Sequence, residues 1–182
     1  GSVFKTFTLA AAFHEGIIDP ETKFEGLEKK LKFGKNIISE YDEKIPSDLT
    51  AEQILIRSGN VGSVRIGQSL GIKAYKEFMD DLDLIDPINF DIEEIGIPIP
   101  FNWGKCKLAT TSYGHGITTT ILQLANAYSI IVNGGYRIKP TLVKKNTYIQ
   151  GKKILNNNVS EKINPILRKI VTTKEGTASL AN

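Results

Sequence analysis

Cysteine occurs once in this chain, at Cys106, and histidine twice, at His14 and His115. A disulfide within the chain is excluded, and so few thiol and imidazole donors form no recognisable metal-ligand cluster. No apolar run approaches the roughly 20 residues that a membrane-spanning helix needs, and no signal peptide is visible. Charge of one sign is also lacking: 23 Lys and Arg stand against 20 Asp and Glu, giving a net charge of +3 with the signs interspersed. Without a basic stripe, nothing points to nucleic acid. There is no internal repeat and no low-complexity tract.

What remains is a globular composition. Hydrophobic residues make up 41% of the 182 residues, enough for one domain with a real core. Residues 3–15 read as a helix, capped by Ser2 and ended by Gly16. Residues 19–48 are polar with scattered apolar positions, an irregular excursion with room for a short strand pair. Thr50 and Gln53 form a capping-box pattern ahead of Ile54, Leu55 and Ile56. Residues 61–87 read as two short helices broken near Gly71. Residues 90–117 carry prolines or glycines every few positions and read as a long loop. A second strongly apolar helix follows Thr120 and stops at Gly134 and Gly135. Residues 136–156 alternate like a hairpin turning at Gln150 and Gly151. Pro165 sits in the first turn of a final amphipathic helix that runs to about Thr173.

Two of these helices, the first and the one after Thr120, are apolar nearly all round, so they belong in a core between other layers. The strands to cover them are largely missing. The sequence therefore reads as truncated at both ends, with the opening helix expected to expose apolar faces.

Two readings of Ser2 and Lys5 stand open. Serine is a common N-cap and lysine a common surface residue. Alternatively the pair is a nucleophile and its base. Lys5 is the only ionisable residue between Phe4 and Phe13. An ammonium drawn into an apolar site is costly, and desolvation lowers its pKa toward the range of a general base. A spacing of three puts Ser2 and Lys5 on one helix face, at the positive end of the helix dipole. The segment Ser58, Gly59, Asn60 is likewise either a helix C-cap or a tight turn offering a hydroxyl and an amide to a cleft. If that turn needs a positive φ, Gly59 is where it falls.

Ser2-x-x-Lys5 followed by Ser58-x-Asn60 matches the first two motifs of the penicillin-recognising serine acyltransferases. Together with residues 110–135, a Gly-rich loop and the helix after it, and the tail at 170–182, these segments resemble the transpeptidase domain of class B penicillin-binding proteins. The division type is the nearest, on the loop Tyr113, Gly114, His115, Gly116. The resemblance covers essentially the whole chain. The family's third motif, Lys-Thr-Gly, occurs nowhere in the 182 residues. The family places it on a strand soon after the point at which this chain ends.

The resemblance implies an α+β fold, here the helix-rich part of the serine penicillin-binding and β-lactamase type, with most of the central antiparallel sheet missing. It implies a single, incomplete transpeptidase domain over residues 1–182. It implies Ser2 as nucleophile, Lys5 as its base, Ser58 as proton relay and Asn60 as holder of the substrate amide and orienter of Lys5. Tyr113 and Gly114 are candidate substrate contacts, with core packing the other reading of Tyr113, and His115 is an alternative acid or base. No cofactor or metal is required. The implied substrate is the D-Ala-D-Ala end of a peptidoglycan stem peptide, which β-lactams mimic. Divisome membrane proteins are implied as partners of a full-length protein anchored in the inner membrane and facing the periplasm. A β-lactamase or β-lactam sensor of the same fold, and a non-catalytic divisome scaffold, are the competing readings.

Overall fold

The computed structural model describes residues 1–92, 96–144, 146 and 150–181. Its first helix, α1 (Phe4–His14), is buried at every position from Phe4 to Phe13, Lys5 included. Gly16, at φ +67°, turns the chain away after it. The element expected to expose apolar faces is thus the centre of the molecule. Helices cover it in place of a sheet: α2 (Ala51–Ile56), α3 (Asn60–Asp81), α4 (Lys105–Ser112) and α6 (Asn157–Thr172) all pack against it. Tyr128, on α5 (Ile121–Val132), closes the remaining flank. Its ring meets Phe7 edge-on at 5.0 Å, and its hydroxyl bonds Val3 O and Thr6 Oγ1.

Strand structure is sparse among the described residues. β1 (Lys23–Phe24) pairs with β4 (Leu49–Thr50), and β2 (Lys30–Phe33) forms a hairpin with β3 (Asn36–Ser39) about Gly34, at φ +60°. Both pairs are antiparallel. The polar segment at 19–48 therefore holds the one strand pair expected there, β2 with β3, and β1 within it pairs with β4 just beyond its end.

The capping box at α2 forms as the sequence predicts, with Gln53 N–H on Thr50 Oγ1 and Thr50 N–H on Gln53 Oε1. The break at Gly71 is also present. It stands at φ +76° inside α3, a value glycine alone adopts freely, and divides that helix in two.

Four expectations need correction. Ser2 does not cap α1. The N-cap position is Val3, which has helical dihedrals and no side-chain capping bond. Residues 1–6 instead form a tight turn, with Phe4, Lys5 and Thr6 N–H donating to the carbonyls of Gly1, Ser2 and Val3. The stretch read as a continuous loop contains α4, whose Leu108, Ala109, Thr111 and Ser112 are buried. Helix α5, apolar as it is, is not enclosed on every side. Ile121 is 88% exposed, while Gln123 is buried and its side chain donates to Asp83 O and Asp86 O. Helix α6 begins at Asn157, and Pro165 lies in its interior on the exposed side. Val159, Ile163 and Ile166 hold α6 to the core.

The hairpin expected at 136–156 is reduced to one antiparallel bridge between Tyr136 and Lys153, and residues 145 and 147–149 fall outside the described residues.

Candidate active site

The amino end of α1 opens into a cleft of about 600 Å³. Ser2, Lys5, Ser58, Asn60, Tyr113 and Gly114, the six candidate residues from the sequence, all line it, and so does His115. They come from three separate parts of the chain. The turn before α1 supplies Ser2, α1 supplies Lys5, the α2–α3 junction supplies Ser58 and Asn60, and the end of α4 supplies Tyr113, Gly114 and His115.

Ser2 and Lys5 share a face because the turn at 1–6 is of the i→i+3 type, in which such positions eclipse. Ser2 is exposed to the cleft, whereas Lys5 is only 2% exposed. The Lys5 ammonium donates to Ser58 Oγ at 2.8 Å and to Ser58 O at 2.5 Å. Burial lowers its pKa to about 8, against a smaller opposing pull from the negative charge of Glu40. A neutral amine is thus accessible near neutral pH, beside one hydroxyl and one turn from another.

The 58–60 segment closes α2 and lines the cleft. Ser58 N–H bonds Leu55 O and Gly59 N–H bonds Ile54 O, the paired C-terminal closure of a helix. The left-handed residue in that closure is Ser58, at φ +56°, and not Gly59, which has φ −65°. This conformation turns the Ser58 carbonyl and hydroxyl together onto Lys5. Gly59 is constrained by space instead, since a Cβ there would lie 3.1 Å from Ile45 Cδ1.

Asn60 opens α3. Its side-chain amide donates to Ser39 O at 2.8 Å, so it reaches β3 rather than Lys5. Tyr113 stacks on His115, with centroids 5.7 Å apart and planes at 18°, and its partial burial raises the phenol pKa. Gly114 O accepts from Gly1 N at 2.8 Å. Gly114 stands at φ +82°, where a Cβ would fall 1.9 Å from Gly1 O, so a side chain is excluded there.

The sequence reading missed Glu40, Tyr41, Asp42, Ile45, Arg57, Glu175 and Thr177, which with Gly1 complete the cleft. Arg57 pairs with Glu175 at 2.5 Å, and Thr177 N–H reaches Ile56 O, so the segment after α6 is laced to the end of α2. Arg57 stands next to Ser58 in sequence, and that adjacency was the available signal. Glu40 and Glu175 have none, because their partners are 20 and more than 100 residues away.

A profile of the penicillin-binding protein transpeptidase domain matches residues 1–181. The chain belongs to that family. Among curated penicillin-binding relatives, it is 27% identical over 180 residues to a probable peptidoglycan D,D-transpeptidase FtsI of Caulobacter vibrioides, covering 97% of this chain and 30% of the relative. It is 27% identical over 184 residues to a probable peptidoglycan D,D-transpeptidase PenA of Neisseria flavescens, covering 100% of this chain and 44% of the relative. The chain therefore spans less than half the length of these relatives. Its fold is that of the transpeptidase domain of penicillin-binding protein 3 from Burkholderia pseudomallei. The two superpose with a TM-score of 0.91 at 22% identity, covering all of this chain and 56% of the other. The α+β, helix-rich expectation for a penicillin-binding transpeptidase fold is met.

Proposed function

We propose that this chain carries the acylation centre of a peptidoglycan D,D-transpeptidase that cross-links stem peptides during septal wall synthesis. The observation that supports it most is Lys5: a buried, easily deprotonated amine bonded to Ser58 in the cleft that Ser2 also lines. Neutral Lys5 takes the Ser2 hydroxyl proton as Ser2 Oγ attacks the carbonyl of the penultimate D-alanine. The bond to the terminal D-alanine breaks. Ser58 passes a proton from Lys5 to the departing amine, and Asn60 holds the substrate amide. The amine of a second strand then resolves the acyl-enzyme. The oxyanion is held by the Ser2 N–H and by a donor from a Lys-Thr-Gly segment of the whole protein. The reading places the protein at the extracytoplasmic face of a bacterial envelope, membrane-anchored and in contact with divisome proteins.

The test is labelling of the whole protein with a fluorescent penicillin, with the adduct located by peptide mass. The expected result is one adduct on Ser2. Lys5→Arg keeps the charge but puts a guanidinium, which cannot serve as a base at these pH values, in place of the amine. It is expected to slow acylation at least about 100-fold. Acylation of Lys5→Arg within tenfold of wild type would sink the base assignment.

A further inference from the structure

Glu40 follows the β2–β3 hairpin at the point where β3 ends. Its carboxylate accepts from Asn60 N–H at 2.6 Å through Oε2 and from Val61 N–H at 2.8 Å through Oε1. These are the first two backbone donors of α3, whose first half, residues 60–70, would otherwise turn its positive end to the cleft unsatisfied. The carbonyl of the residue before it, Ser39, accepts from the Asn60 side chain. Three hydrogen bonds thus tie the end of the hairpin to Asn60 and Val61, two and three places after Ser58.

We propose that Glu40 is a positioning residue of the acylation centre: its carboxylate anchors the amino end of α3, so that the 58–60 turn stays against Lys5, and it presents a negative charge to the Lys5 ammonium. The proposal rests on the transpeptidase reading given above.

The charged and titratable groups lining the cleft about Lys5 come from every side. The side chains are Glu40 and Tyr41 after β3, Asp42 in the loop beyond them, Arg57 at the end of α2, Tyr113 and His115 after α4, and Glu175 after α6. Arg57 and Glu175 are paired with each other. Glu40 is the group whose charge acts on Lys5, and it favours the protonated form. Two properties follow from one side chain. It sets where the Lys5 hydrogen-bond partner sits, and it sets the pH at which Lys5 gives up its proton. A residue that merely supported the fold would do the first without the second.

The experiment follows the 13Cε resonance of Lys5 with pH, alongside the rate of Ser2 acylation by penicillin, in the whole protein. Glu40→Gln retains the size and one acceptor oxygen but removes the charge. Its Lys5 midpoint is expected to fall by about half a pH unit or more, and any acylation profile should move to lower pH with it. Glu40→Asp keeps the charge one methylene farther back. Its midpoint is expected between those of wild type and Glu40→Gln, which keeps the proposal testable if the glutamine variant does not fold. A Lys5 midpoint in either folded variant at or above the wild-type value would overturn the proposal. If wild type forms no Ser2 adduct, the transpeptidase reading fails, while the resonance titration still decides the part played by Glu40.

Discussion

Ser58 stands at φ +56°, in the left-handed region that glycine tolerates and other residues resist. A glycine would close α2 with less strain, but it would bring no hydroxyl to Lys5. Comparing two substitutions separates these effects, because both Ser58→Gly and Ser58→Ala lose the hydroxyl and only alanine keeps the Cβ. Ser58→Gly is expected to be the more stable by about 1 kcal/mol, as measured by urea unfolding, with both variants equally impaired in acylation. Alanine as the more stable of the two would show that the turn relaxes out of the left-handed region. The candidate site was legible at this scale where its residues sit two or three apart, as with Ser58 and Asn60 or Ser2 and Lys5. Local spacing fixes which side chains share a face. It says nothing of Glu40 and Glu175, whose partners arrive only through the fold, nor that Asn60 would turn its amide to β3.

Elements with a strong local signal were readable, and those that depend on a neighbour were not. Thr50 with Gln53 and Thr120 with Gln123 both form capping boxes, and the helices they announce begin there. Helix α4 has no such signal. It starts at Lys105 after Gly104, which brings no side-chain cap, and carries two adjacent threonines, which resist helix formation when isolated. Its existence comes from docking on α3. At the contact Gly67 is so close to Ser112 that a Cβ would lie 1.9 Å from Ser112 Oγ and 2.8 Å from Ser112 Cβ. Gly67→Ala is therefore expected to destabilise the protein by about 1–3 kcal/mol despite its better helix propensity. Adding Ser112→Gly should recover part of that loss. A double-mutant cycle in denaturant is the measurement, and an additive outcome would mean that the two helices do not meet there. Helix α6 departs from expectation for a different reason: a proline suits a first turn, but Pro165 lies in the middle of the helix. The spacing of Val159, Ile163 and Ile166 carries the helical period across the proline, and that period was the better guide.

At the scale of the whole molecule, α1 is an axle enclosed by other helices, and Lys5 is the one charge set into it. The folded protein therefore holds its Lys5 proton less tightly than the unfolded chain does. Below pH 8 the lysine is protonated in both states, and its burial counts in full against folding. Between about 8 and 10.5 the unfolded chain keeps the proton and the native one releases it. Native stability must then climb with pH, by up to about 3 kcal/mol across that window. Above pH 10 the buried phenol of Tyr75 and the partly buried one of Tyr128, whose pKa values are raised, act in the opposite sense and end the climb. Unfolding midpoints measured at pH 7 and pH 9.5 should rise for wild type relative to Lys5→Met, which lacks the proton. Parallel curves for the two proteins would mean that Lys5 escapes to water. A proton-linked instability at neutral pH is thus set into the centre of the fold, and an apolar residue at position 5 is expected to yield a sturdier protein with an idle Ser2.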